Sequence, residues 1–115
     1  MARKFGEYLR ELRRAKGLSQ RELAERVGVD FSYISKAEND RISPPAGDTV
    51  VRICEALGVP PDELLALSGK VPSNFTETLR ASPAALGFMR EAHAMSLSEE
   101  EWRTLGRRLK GLRGN

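Results

Sequence analysis

Residues 19–39 hold two short helical patterns with almost no chain between them, and that brevity constrains the fold more than any other feature. Ser19 with Glu22 three positions later has the spacing of a capping box, in which each side chain satisfies the other residue's backbone amide. Leu23, Ala24 and Val27 form the apolar side of the first helix, and Gly28 ends it. Asp30 stands where a second helix would be capped, and Ile34 and Ala37 are its inward side. Two helices joined so tightly must cross steeply to bury those sides together. The crossing needs a small side chain where they meet, which is Ala24. It also needs a residue that leaves its helix at positive φ without strain, which is Gly28.

The second helix is left with one face turned outward. At about 100° per residue, Ser32, Lys36 and Asn39 fall opposite Ile34 and Ala37. Ser35 lies nearby, and Phe31 and Tyr33 flank the stripe. Such a face suits the major groove of duplex DNA. Serine hydroxyls both donate and accept, lysine reaches guanine O6 and N7, and aromatic edges pack on thymine methyls. An ordinary solvated face would be richer in Glu and Lys pairs.

The rest of the chain is helical in pattern and lacks the period-two alternation of strands, so an all-α fold is expected. Phe5, Leu9 and Leu12 trace a first helix that Gly17 ends. Pro44 and Pro45 keep the third helix from continuing. A fourth runs from near Asp48 to Leu57, closed by Gly58, and Pro60 to Glu63 opens a fifth carrying Leu64, Leu65 and Leu67. The stretch Ser68 to Ser73 reads as a boundary between a domain over 1–69 and a helical segment over 70–115. That segment shows a short helical turn near Thr76–Arg80 and a helix opened by Ser82-Pro83. A last helix, opened by a second capping box at Ser98 and Glu101, runs to about Leu112.

Residues 5–67 resemble the lambda-repressor-like, or XRE-type, helix-turn-helix domain of transcriptional regulators. The resemblance rests on Ser19-Gln20-x-Glu22-Leu23-Ala24, Gly28, Ile34 and Glu38-Asn39, and on Leu57-Gly58-Val59 followed by Leu64-Leu65. It implies five helices, the second and third being the DNA-reading pair. It further implies that Gln20, beside Ser19, touches a phosphate and braces the first recognition residue, that Phe31, Ser32 and Lys36 face bases with Tyr33 next to them, and that Asn39 meets a further phosphate. Arg13 and Glu38 match a family ion pair that ties the first helix to the third. Ser35 and Arg41 complete the candidate DNA-binding set. Where the family often has glycine after Glu-Asn, this chain has Asp40, and the loop to Gly47 is longer than in short phage repressors.

Composition narrows the alternatives. The net charge of +3 is only mildly basic, but its distribution is uneven. Residues 1–45 carry ten Lys/Arg against seven Asp/Glu, residues 46–70 two against four, and residues 71–115 seven against five. The single Cys54 and single His93 read as packing or surface residues and support neither a disulfide framework nor a metal site; no cofactor is expected. No nucleophile–base pair or phosphate loop argues for an enzyme. No apolar run approaches the roughly 20 residues that span a bilayer. The start of the chain lacks the pattern of a secretory signal, so the expected location is the cytoplasm, with no membrane contact.

In the last helix Trp102, Leu105, Leu109 and Leu112 recur as an apolar stripe, with Arg107, Arg108, Lys110 and Arg113 around it and at its end. Leu86 and Met89 share a face of the helix before. Two amphipathic helices of this length bury little alone. They are expected to form a homodimer interface, with folding back onto the fourth and fifth helices as the alternative. The expected function is a dimeric autorepressor on a palindromic operator, with half-sites about 34 Å apart. Two alternatives keep the DNA reading and change the tail: an antitoxin that grips a toxin through it, or a mobile-element immunity repressor that a protease inactivates there.

Overall fold

A computed structural model describes residues 3–114. Met1 and Ala2, which belong to the start read above for a signal, and Asn115 lie outside the described residues. All regular structure among those residues is helical: α1 (Phe5–Ala15), α2 (Gln20–Val27), α3 (Phe31–Glu38), α4 (Gly47–Leu57), α5 (Asp62–Ser68), α6 (Ser73–Ala81), α7 (Pro83–Met95) and α8 (Glu99–Lys110). No helix among them is long and apolar enough to cross a membrane. The chain divides into two compact units, one up to Thr76 and one from Glu77 onward.

In the first unit each of five helices sends a fully buried side chain to one core: Leu9, Leu23, Ile34, Ile53 and Leu64. Around them pack Phe5, Ala24, Val27, Ala37, Val50 and Leu57. Cys54 is buried with them, and burial, helped by the nearby Asp62 carboxylate, pushes its thiol up to about 11. The local signals act where their chemistry places them. Ser19 and Glu22 form both halves of the capping box, at 3.0 and 2.9 Å, and Gly28 leaves α2 at φ 84°. Asp30 occupies the cap position of α3 but makes no side-chain cap; its carboxylate accepts the Ser32 hydroxyl at 3.3 Å.

The first unit extends past the polar stretch that reads as a boundary. Asp48 accepts both the backbone amide and the hydroxyl of Ser73 at 2.8 Å, and these bonds hold its carboxyl below the usual range. A side chain at Gly47 would come within 2.5–2.7 Å of the Val71–Pro72 backbone, so only glycine lets this segment pass so closely. The Gly-Pro-Ser composition of 68–73 is therefore that of a strapped connection, not a free linker. The turn expected near Thr76–Arg80 is a nine-residue helix that begins at Ser73.

In the second unit α7 starts from Ser82, whose hydroxyl accepts the Ala85 amide at 3.1 Å, with Pro83 in the first turn. α8 starts from a complete capping box between Ser98 and Glu101. Among the described residues of this unit Ala92 is the buried one, and His93 is exposed.

Candidate nucleic-acid interface

The interface is organised around a carboxylate that the α1–α2–α3 packing buries. Glu38, the last residue of α3, has a side chain with no exposure. Arg13 of α1 grips it with two N–H groups, Nε to Oε2 at 2.5 Å and Nη2 to Oε1 at 2.9 Å, and gives Nη1 to the Leu18 carbonyl at 2.8 Å. Gln20 of α2 donates Nε2 to Glu38 Oε1 at 3.0 Å, so its amide braces the end of α3 and not Phe31, the first recognition residue. Burial works to raise the Glu38 pKa, but the hydrogen bonds from Arg13 and Gln20 outweigh it and keep the carboxyl below its ordinary value. Paired in this way the buried charge ties three helices; removing one partner would strand the other, a loss of about 3–5 kcal/mol.

Two further contacts were not legible from spacing. Arg10, one turn before Arg13, donates Nη2 to Asn39 Oδ1 at 2.7 Å and lies 3.5 Å from Glu38 Oε1. Asn39 in turn donates Nδ2 to the Ser35 carbonyl at 2.9 Å. Both ends of the Asn39 amide are thereby oriented, with the second Nδ2 hydrogen left over. Asp40, the residue that departs from the family pattern, sits at φ 54°, the left-handed region that glycine favours and that aspartate tolerates better than most residues. Its carboxylate accepts the Gly6 amide at 3.1 Å in the first turn of α1, where the helix dipole favours negative charge. Gly6 has no room for a side chain, because its Cα lies against the Ala37 and Glu38 carbonyls. The sequence signals were Gly6 itself and an aspartate where glycine is usual.

The outward side of α3 follows from what is buried. Ile34, Ala37 and Glu38 face in. Ser32, Lys36 and Asn39 are exposed, Phe31 is 36% exposed, and Ser35 and Tyr33 are half-buried, with Tyr33 packed against the core. Ser19 and Arg41 are exposed and Gln20 is half-buried. Arg41 lies three residues past the end of α3, its amide bonded to the Lys36 carbonyl at 2.9 Å. A third unforeseen contact lies here: the Arg21 guanidinium stacks over the Phe31 ring, 4.5 Å from its centroid. In the second unit Leu86, Met89, Trp102, Leu109 and Leu112 are exposed and Leu105 is half-buried. Among the described residues no group of His, Cys, Asp and Glu is arranged to hold a metal ion.

Comparison with known proteins agrees with the helix-turn-helix fold. Residues 9–64 match the model of a family described as helix-turn-helix. The chain is 38% identical over 76 residues to the uncharacterized HTH-type transcriptional regulator RghRB of Bacillus subtilis, a match covering 66% of this chain and 54% of that protein. It is 36% identical over 67 residues to the HTH-type transcriptional repressor RghR of the same organism, covering 58% and 50%. It thus spans about half the length of these two relatives. The uncharacterized HTH-type transcriptional regulator y4dJ of Sinorhizobium fredii is 35% identical over 72 residues, covering 63% of this chain and 92% of that one.

Among solved structures, the restriction-modification controller protein C.AhdI from Aeromonas hydrophila is 42% identical with a TM-score of 0.50, covering 52% of this chain and 89% of that chain. The biofilm master regulator SinR, solved in complex with DNA, is 33% identical with a TM-score of 0.51, covering 53% and 97%. A SinR protein/SinI protein complex gives 25% identity and a TM-score of 0.52, covering 96% and 99%. With its caps, its buried Glu38 and its outward α3, the chain belongs to the lambda-repressor-like, XRE-type helix-turn-helix family of transcriptional regulators.

Proposed function

We propose that the chain is a sequence-specific, non-enzymatic DNA-binding repressor that acts as a homodimer on a palindromic operator, its α3 seated in the major groove. The observation that carries this reading is the face of α3 itself, where Ser32 and Lys36 stand exposed on a helix whose opposite side is locked by Glu38. Lys36 and Ser32 read base edges, Phe31 packs on a thymine methyl, and Ser35 and Tyr33 border the contact. Gln20, Ser19, Asn39 and Arg41 meet phosphates and set the register. For Gln20 and Asn39 the support is that intramolecular bonds already orient both amides.

Residues 70–115 supply the pairing surface in this reading. Leu86, Met89, Trp102, Leu105, Leu109 and Leu112 are apolar groups that two helices of this length do not bury alone. Across a two-fold axis, the acidic first turn of α8 (Glu99, Glu100, Glu101) complements the basic last turn (Arg107, Arg108, Lys110) of an antiparallel copy. A second reading gives the same surface to a different protein. It is favoured by the likeness over nearly the whole chain to a chain of a SinR protein/SinI protein complex.

Binding to duplexes selected from a randomised library tests the DNA reading. Lys36→Ala should weaken the selected site by about 1–3 kcal/mol and leave random duplex almost unchanged, whereas Gln20→Ala weakens both alike. Equal losses for Lys36→Ala on selected and random DNA would remove its base-reading role.

A further inference from the structure

Arg21 has no place in the interface as the sequence outlines it, yet it touches that interface directly. It is the second residue of α2, beside Gln20, and its guanidinium lies over the ring of Phe31, the first residue of α3. The stack therefore crosses the seam between the two helices at the end where both begin. Arg21 is exposed and takes part in none of the described ion pairs. Stacking uses the flat face of a guanidinium and leaves its N–H donors, which lie in the plane, free for a ligand. It also restrains the aromatic partner: Phe31, 36% exposed, has a cation over one face and its remaining edge toward solvent.

When a helix such as α3 enters the major groove, the helix before it crosses the sugar–phosphate backbone. A cation at the start of α2 then meets phosphate at the moment Phe31 meets a base edge. We propose that Arg21 and Phe31 work as one recognition unit: Arg21 positions Phe31 against a thymine C5-methyl and gives its free N–H groups to the adjoining phosphate. The inference rests on the reading of α3 as the DNA-contacting helix. It adds a specificity-determining pair that links a backbone contact to a base contact.

The probe is the duplex that the wild-type chain enriches from a randomised library, with each thymine replaced in turn by uracil, which lacks only the methyl. For the wild type, one uracil position per half-site should cost about fourfold in affinity, the worth of one buried methyl. Arg21→Ala should abolish that penalty and lower the slope of log affinity against log salt by about one per bound protomer. Arg21→Lys should keep the salt slope, because the charge remains, but lose much of the methyl penalty, because the flat stack is gone. Phe31→Leu should change the uracil response with the slope intact.

An unchanged salt slope in Arg21→Ala, or a uracil penalty that survives it, overturns the coupled unit. If the wild type enriches no duplex, the reading of α3 falls and this inference with it. If Lys36→Ala loses the selected site while Arg21→Ala behaves as wild type, only the inference falls. Thermal melting of each variant, expected to match the wild type because Arg21 is exposed, separates binding from folding.

Discussion

α2 and α8 begin with the same device and come to different ends. Each opens on a serine whose hydroxyl accepts the amide three residues on, while the glutamate there returns to the serine amide. α2, only eight residues long, then buries Leu23, Ala24 and Val27. α8, with twelve residues, a carboxylate-rich first turn and a cationic last turn, buries none; Trp102 is 38% exposed and Leu109 66%. A capping box decides where a helix starts and contributes about 1 kcal/mol. Whether the helix is held depends on an apolar face covered by something else, worth about 25 cal/mol for each Å² removed from water. The first unit covers its own faces. The second carries an apolar stripe that α7 and α8 leave open.

The sharpest way to break this comparison is to attack the group that holds the first unit together. Glu38→Ala should destabilise it by about 3–5 kcal/mol in urea unfolding, since Arg13 would be left buried and unpaired. A loss under about 1 kcal/mol would mean that the α1–α3 tie is incidental. The same residue sets an acid limit. Because the Glu38 carboxyl lies below its ordinary value of 4.5 in the folded protein, its contribution is full above that pH. It is lost as the pH falls through the folded-state value, the unfolded chain taking up its proton first. The stability gap between wild type and Glu38→Gln should therefore narrow below about pH 4.5.

Next in size is a matched pair of truncations. Leu23→Ala, in the core, should cost about 2–5 kcal/mol. Leu109→Ala, at a side chain 66% exposed, should change unfolding of the dilute monomer by less than about 0.5 kcal/mol and instead weaken self-association in sedimentation equilibrium. Equal destabilisation of the monomer by both would erase the distinction between the units. Unchanged sedimentation of Leu109→Ala would take the stripe out of the pairing surface.

The smallest effect compares the caps themselves. Ser19→Ala and Ser98→Ala should each cost about 1 kcal/mol locally. Only Ser19→Ala should shift global unfolding of the first unit, because α2 is part of its core. Ser98→Ala should show as a loss of helicity by circular dichroism without that shift.

Much of the first unit was legible because its signals are short-range. Ser19–Glu22, Gly28, Gly58 and the apolar periods of α1–α5 lie within one or two turns of what they control, and backbone geometry reads them directly. The outward face of α3 was legible for the same reason: fixing Ile34 and Ala37 inward leaves Ser32 and Lys36 outward. Less visible were contacts whose partners are far apart in the chain. Arg10 meets Asn39 across 29 residues, Gly6 meets Asp40 across 34, and Ser73 reaches Asp48 across 25. No local spacing encodes such pairs. Asp30 shows the converse, a good cap residue that a neighbouring hydroxyl draws away from the backbone.

The amino-acid sequence by itself determined where the helices start and stop, which sides are apolar, and that α2 and α3 must cross as a helix-turn-helix, since propensity, capping and periodicity act over a few residues. Only the tertiary structure decided which polar groups meet once the helices have crossed: Glu38 at the centre of Arg13, Arg10 and Gln20, Asp40 at the start of α1, and Arg21 on Phe31. Helix crossing brings distant residues to hydrogen-bonding range, and at that range a few ångströms separate a solvated side chain from one that orients a binding face.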